Sequence, residues 1–303
     1  MLIRKFYFGI IIVLILNSFS EAQFDKPQLQ VGIGYTQAYD DLQGDYLETG
    51  ILGSNYVLMV NSNLLTNNYG GKNGLSFFGK GKVNFDQYST VRGVASLNYS
   101  SFNTFESAKS GNIGVQILNI NNQLDTILTS VKYDYNFNAL SLGLGIEIAP
   151  TSFTGIVSPY FGANFNFNFL NAELSRTENN YDSVKVSLSD FRIGVNFDGG
   201  IEARLNKSIG IALGLKYDLG NLLLKNTNGS VADVIEYGKS NGSINDAQGR
   251  FFSTIYGPVL TSVRKEVVSK EKKINWGTAY IALNIDLFSP KPAGKSKNKK
   301  PKE

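Results

Sequence analysis

The stretch FRIGVNFDGGIEARL, residues 191–205, alternates apolar and polar side chains along its length. One side of an extended chain would carry its apolar members, Phe191, Ile193, Val195, Phe197, Ile201, Ala203 and Leu205. The opposite side would carry Arg192, Asn196, Asp198, Glu202 and Arg204. Because successive side chains of a β-strand point to opposite faces, the stretch predicts a strand with one apolar and one charged face.

Other segments repeat this period of two. Residues 160–170 place phenylalanines on one face and asparagines on the other, and residues 209–219 oppose leucine and isoleucine to glycine and charged residues. Several phenylalanines on one water-exposed face would cause aggregation. The apolar faces therefore require either lipid or a protein core.

Eight segments have this character. They lie near residues 28–38, 75–85, 90–103, 131–149, 158–171, 187–205, 209–224 and 276–288. Within 131–149 the apolar residues change from odd positions, up to Phe137, to even positions, from Leu140 onwards. Two explanations are open: a β-bulge near Asn138, or a strand whose upper part lies outside a membrane and need not keep the pattern.

The connections between these segments alternate in length. Long connections (39–74, 104–130, 172–186 and 225–275) alternate with short ones (86–89, 150–157 and 206–208). Outer-membrane barrels have this arrangement, with tight periplasmic turns and long outer loops. The sequence thus predicts an all-β, antiparallel up-and-down transmembrane barrel over residues 23–288. Eight strands are expected, and ten are an alternative because 112–130 and 231–268 are rich enough in Ile, Val and Tyr to form hairpins.

Both ends of the chain have a distinct composition. Arg4 and Lys5 precede an apolar run, and Ser20 and Ala22 follow it, which predicts a signal peptide over residues 1–22 with cleavage before Gln23. Residues 289–303 contain six lysines and three prolines and are expected to be disordered. This tail is either a solvated periplasmic extension or a segment attracted to anionic cell-wall polymer or lipid headgroups.

Composition excludes several kinds of chemistry. The chain has no Cys and no His, so disulfides, thiolate ligands and a histidine general base are all absent. We therefore expect no enzyme activity, no cofactor and no metal site, with a calcium site at Asp40, Asp41 and Asp45 weighed against ordinary acidic turns. Loss of the leader changes the net charge only from +4 to +3, so no nucleic-acid partner is expected.

The last predicted strand, WGTAYIALNIDLF (residues 276–288), supports a more specific resemblance. Together with the leader and the paired alternating strands, it resembles the small outer-membrane β-barrels grouped with OmpA and OmpW. The resemblance implies a location in the bacterial outer membrane, contact with its lipid, and insertion by the barrel-assembly machinery.

An eight-stranded barrel has room for side chains only, so its inward residues decide its function. The charged positions predicted to face inward are Lys80, Lys82, Arg92, Glu147, Arg192, Asp198, Glu202, Arg204, Lys216, Asp218 and Asp286. Their charges nearly cancel, and buried charges are tolerated when paired. We expect a mostly occluded, salt-bridged lumen in a structural or surface-interaction protein whose loop ligand is unknown. A narrow porin-like channel and a secreted soluble β-sandwich are the alternatives.

Overall fold

The computed structural model describes residues 27–44, 48–53, 56–62, 67–85, 90–104, 111–118, 124–150, 157–178, 181–206, 208–227, 238–255 and 263–287. The predicted signal peptide and lysine-rich tail lie outside these ranges. None of the described residues belongs to a helix long and apolar enough to cross a membrane.

The described chain is built from β-strands. In chain order they are β1 (Gln28–Asp40), β2 (Glu48–Gly53), β3 (Tyr56–Ser62), β4 (Asn73–Asn84), β5 (Val91–Phe102), β6 (Gly111–Leu118), β7 (Leu124–Ile148), β8 (Val157–Glu178), β9 (Tyr181–Arg204), β10 (Ile209–Leu223), β11 (Gly238–Gly242), β12 (Gly249–Ile255), β13 (Val263–Ser269) and β14 (Ile274–Asp286).

Eight of these strands close into a ring. Its order is β1, β4, β5, β7, β8, β9, β10, β14 and back to β1, and each neighbouring pair is antiparallel. The predicted eight-stranded up-and-down barrel is confirmed. A two-sheet sandwich is wrong for this chain, because one sheet returns to its own first strand.

Shorter strands add to the end of the barrel that carries the long connections, here called the loop end. β6 pairs with the start of β7, and β11 runs parallel to the first part of β9. β2 with β3 and β12 with β13 form separate hairpins. The ring itself remains eight-stranded, because β6 and β11 lie beside extensions of ring strands.

The two faces of the ring differ as alternation requires. On the outer face, Phe165 exposes 66% of its surface and Leu215 exposes 68%. The inner face of the same strands carries buried polar residues such as Asn164, Asn166 and Lys216. A face so rich in exposed apolar side chains is unstable in water, so this surface is matched to hydrocarbon.

The height of the apolar belt fits a bilayer. On β7 the outward apolar run extends from Leu140 to Ile148, about 27 Å along a strand and about 20 Å along an axis tilted by about 40°. On β8 the run from Val157 to Phe169 gives about 30 Å by the same reasoning. Because closure also leaves no unpaired strand edge in hydrocarbon, the barrel spans a membrane.

In β7 the apolar residues change from odd to even positions for a reason other than a bulge. The register between β7 and β8 runs without interruption from Val131 to Ile148. Tyr135, Phe137, Ala139 and Ser141 are all buried and lie on the same inward face. A bulge near Asn138 is therefore wrong. The upper part of β7 lies beyond the apolar belt, where its inward residues contact an apolar cluster and are themselves apolar.

Candidate functional site

The barrel interior begins with an ionic cluster near the end that carries Gln28 and Asp286, here called the turn end. Lys82 Nζ lies 3.0 Å from the Glu147 carboxylate and 2.6 Å from that of Glu202. Arg92 Nη1 lies 2.9 Å and 2.8 Å from the same two carboxylates. Each cation thus contacts both anions, and the four charges cancel within one layer.

Two further ion pairs lie closer to the middle of the barrel. Lys80 forms a buried ion pair with Asp198, and Lys216 Nζ lies 3.3 Å from an Asp218 carboxylate oxygen. The hydroxyls of Tyr160 and Tyr280 are 2.5 Å apart. The Lys80 ammonium also lies 5.2 Å from the centre of the Tyr280 ring, within range of a cation–π interaction.

A chain of asparagines crosses the interior above these pairs. Asn164 Nδ2 donates to Asn196 Oδ1 at 2.7 Å, and Asn196 Nδ2 donates to Asn166 Oδ1 at 3.0 Å. Asn166 Nδ2 then donates to Asp218 Oδ1 at 3.0 Å. Every amide in this series acts as donor to the next residue, so the hydrogen bonds polarise one another in one direction and end on a carboxylate.

The structure brings most of the predicted charged residues together. Eight of them pair among themselves in the interior, namely Lys80, Lys82, Arg92, Glu147, Asp198, Glu202, Lys216 and Asp218. Arg192 lies apart from them, near the loop end. Arg204 is exposed because it is the last residue of β9, where the barrel ends. Asp286 is half-buried and accepts a hydrogen bond from Gln28 Nε2 at 3.0 Å.

Arg192 instead anchors a segment that the sequence did not indicate. Its guanidinium donates to both carboxylate oxygens of Asp246, at 2.8 Å each, and to the Ile244 carbonyl at 2.8 Å. Asn221 Nδ2 donates to Asp246 at 2.7 Å. Residues 244–246 come from the long connection between β10 and β14. They lie buried within the loop end of the barrel, and we call this segment the cap.

An apolar cluster surrounds the cap. Ile244 belongs to one buried cluster with Tyr69, Phe102, Phe137 and Trp276. The Tyr69 hydroxyl donates to the Asn245 carbonyl at 3.0 Å. A side chain at Gly220 would overlap the Trp276 ring, since an added Cβ there would lie 2.4 Å from Cζ3. The inward apolar residues of upper β7 and the single tryptophan were the only sequence signals of this cluster.

Burial shifts the acid–base properties of two side chains beside the cap. Burial lowers the pKa of Lys272 to about 8, although Asp246 and Asp41 act in the opposite direction. Burial, and next the nearby Asp246 carboxylate, hold the pKa of Tyr69 well above its usual value. The Lys272 ammonium lies 5.8 Å from the centre of the Tyr69 ring. A buried lysine with a pKa of about 8 therefore lies beside the cap.

A small cavity lies between some of the paired side chains of the described interior. A cavity of about 10 Å³ lies among Phe78, Lys80, Asn98, Lys216 and Tyr280, close to the space that one water molecule needs. The Asp198 Oδ1 atom and the Ser141 hydroxyl are buried without a hydrogen-bond partner in the described part of the chain.

Two of the three acidic residues considered as a calcium site accept hydrogen bonds from other residues. Asp40 accepts a hydrogen bond from Asn275 Nδ2 at 2.6 Å, and Asp41 accepts one from the Lys273 amide at 2.9 Å. Asp45 lies outside the described residues. Within the described ranges, no group of three or more His, Cys, Asp or Glu residues is placed to hold a metal ion.

Comparison with known proteins gives structural likeness only. No family model and no curated protein sequence matches the chain. The barrel is similar to Neisserial surface protein A, with 11% identity over 86% of this chain and 96% of that one and a TM-score of 0.40. It is also similar to a major outer membrane protein of Thermus thermophilus (9% identity, 86% and 98% covered, TM-score 0.38) and to Ail, the attachment invasion locus protein of Yersinia pestis (9%, 86% and 98%, TM-score 0.36).

The fold and surface of the chain itself define its class. The ring has an even number of antiparallel strands, an outward apolar belt, a polar interior, short connections at one end and long ones at the other. These are the features of barrels of the outer-membrane type. The chain is an eight-stranded antiparallel β-barrel of the bacterial outer membrane.

Proposed function

We propose that this barrel is closed to solutes and acts as a structural or surface-interaction protein, with its turn end in the periplasm and its loop end outside the cell. The observation that supports the proposal is the set of buried ion pairs inside the barrel, together with the cap at its loop end. We further propose that the protein is not an enzyme, since its sequence lacks histidine and cysteine.

The pairing of charges argues against a channel. Selective pores favour one sign of charge around a ring, whereas the eight charged residues that pair among themselves in the interior are four cations and four anions. Removing one partner of a buried ion pair costs about 3–5 kcal/mol. A path for ions would have to separate several of these pairs at once, and would also have to displace the cap.

The loop end supplies the surface for interaction. β7, β8 and β9 continue beyond the apolar belt, and β6 and β11 widen them into a sheet. This sheet continues the barrel wall beyond the apolar belt. Insertion by the barrel-assembly machinery and attraction of the lysine-rich tail to cell-wall polymer stay predictions.

Conductance across a planar bilayer tests this proposal. We expect no discrete current steps from the purified mature chain. The informative variants are Glu202→Lys, which reverses a charge inside the ionic cluster, and the matched control Arg204→Glu, which reverses an exposed charge two residues away. Stable steps in the unmodified protein that change with E202K but not with R204E would establish a channel and refute the closed barrel.

A further inference from the structure

The outer face of four adjacent strands carries two aligned rows of side chains. Tyr99, Leu140, Phe169 and Phe191 are direct cross-strand partners on β5, β7, β8 and β9. The next outward row towards the loop end consists of Ser101, Asn138, Asn171 and Ser189, again direct partners. On this side of the barrel the apolar belt thus ends abruptly, with a row of three aromatic residues and one leucine beneath a row of amides and hydroxyls.

A groove of about 560 Å³ lies where the two rows meet. Phe169 and Phe191 form its apolar side, with ring centres 5.3 Å apart, and Asn138, Asn171 and Ser189 line its polar side. This volume is within the range of small-molecule sites. Because the groove is continuous with the belt that faces lipid, it suits a bilayer lipid, with acyl chains on the aromatic side and a headgroup on the polar side.

The lining also defines the chemistry of the headgroup. Amides and hydroxyls donate and accept hydrogen bonds without net charge, and aromatic faces carry partial negative charge that attracts polarised C–H groups. Phosphate is usually bound by Arg or Lys, and among the described residues that line the groove there is neither. The lining residue Asp190 carries a negative charge and is paired with Arg192 at 3.0 Å. These properties suit a neutral sugar.

We propose that this groove binds a neutral glycolipid of the surrounding leaflet, with its sugar against Asn171 and Ser189 and its first acyl carbons against Phe169. The proposal rests on the membrane location of the barrel. It does not depend on whether the interior is closed.

The opposite wall provides a comparison at the same boundary. There Gln37 and Asn73 are cross-strand partners on β1 and β4. Asn73 Nδ2 donates to the Tyr35 hydroxyl at 2.8 Å. On this wall the aromatic side chain is therefore hydrogen-bonded to the neighbouring side-chain amide. Gln37 lies at the same boundary of the apolar belt but does not line the groove. Its replacement therefore serves as a control for the loss of a polar residue at this boundary.

Native mass spectrometry of the full mature chain tests the proposal. The protein is placed in phosphatidylethanolamine nanodiscs containing equal amounts of monoglucosyl diacylglycerol and phosphatidylglycerol with identical acyl chains. The ratio of the two lipids that remain bound is then measured. We expect an excess of the glucosyl lipid of about fivefold, the effect of roughly one hydrogen bond.

Two pairs of variants locate the site. Phe169→Ala and Asn171→Leu should bring the ratio close to one. Phe165→Ala, on the same strand and face but deeper in the belt, and Gln37→Leu should keep it. Faster gel migration of each unheated protein verifies that the barrel is intact, so a failure of the membrane assignment is recognised separately. Equal binding of both lipids, a preference for phosphatidylglycerol, or an equal loss in F165A and F169A would overturn the proposal.

Discussion

Asp246 shows how a single residue holds the cap in place. Its carboxylate accepts hydrogen bonds from the Arg192 guanidinium, from Asn221 Nδ2 and, at 3.1 Å, from the Asn226 backbone N–H. Both members of the Arg192–Asp246 pair are almost fully buried. Because a buried guanidinium is costly without its partner, the cap depends strongly on this one carboxylate.

Replacement of Asp246 should therefore open the cap. Asp246→Ala is expected to destabilise the closed cap by about 3–5 kcal/mol, because Arg192 stays buried with one partner fewer. Trp276, the single tryptophan, is fully buried beside the cap, so quenching of its fluorescence by acrylamide reports the opening. The double variant Arg192→Met with Asp246→Leu should largely restore protection, since both charges are then absent. Equal quenching of D246A and the unmodified protein would contradict this role.

Lys272 makes the cap sensitive to alkaline pH. Its pKa is lowered to about 8 in the folded protein, below the value of an unfolded lysine, about 10.4. Between these two pH values the unfolded state binds more protons than the folded state, so the stability of the folded state rises as pH increases from about 8 to about 10.

We expect acrylamide quenching of Trp276 to decrease over this range. In Lys272→Met this dependence should vanish, whereas in Lys273→Met, which alters an exposed neighbour, it should persist. A rise in quenching with pH would contradict the assignment.

At the scale of single elements, β7 is the informative strand. Phe137 is fully buried, whereas Leu140 exposes 40% of its surface. Odd positions from Tyr135 to Glu147 face inward. The strand keeps one regular geometry while the chemistry of its inward face changes from polar, inside the belt, to apolar, beside the cap.

Cysteine scanning provides a direct test, because the chain contains no cysteine of its own. Single cysteines at positions 140, 142 and 144 should react with a maleimide confined to the bilayer. Cysteines at 137, 139 and 141 should not react with it, because these side chains point inward. Reaction at 137 together with 140 would mean that the strand changes face between them, which requires the bulge that the register excludes.

β7 also shows what could and could not be read from the sequence. Alternation and connection lengths were sufficient for the eight ring strands, because the period of two is a local property of each strand. The direction of Phe137 was ambiguous, because it depends on Ile244 and Trp276, which lie far away in the chain. Arg192 was assigned to the interior, but its partner Asp246 belongs to a connection without periodicity. The sequence was sufficient to predict that charged side chains pair in the interior. It was not sufficient to predict which side chain pairs with which.

At the scale of the whole molecule, closure depends on the pairing of the first and last strands. β1 and β14 are partners along their full lengths, from Gln28 with Asp286 to Asp40 with Ile274. Within this seam Ile33 lies opposite Ile281. Cross-strand partners in antiparallel sheets have Cα atoms about 4.5–5.5 Å apart, which is compatible with a disulfide.

A cross-link at the seam tests closure. We expect the double variant Ile33→Cys with Ile281→Cys to form an intramolecular disulfide in the membrane, so that the boiled, unreduced chain migrates differently from the reduced chain. The matched control Ile33→Cys with Leu213→Cys should not form one, since Leu213 lies on β10 and β14 separates it from β1. Efficient cross-linking of both pairs, or of the control alone, would refute the strand order.

The seam has a consequence for the order in which the protein forms. Residues as distant as Gln28 and Asp286 must meet before the ring is complete. Closing so long a loop costs conformational entropy, and this cost slows the step. Until then β1 and β14 each present an open edge, which invites misassociation. Biogenesis should therefore finish with one late, concerted step, and a chain cut short before residue 274 should accumulate as an incomplete intermediate.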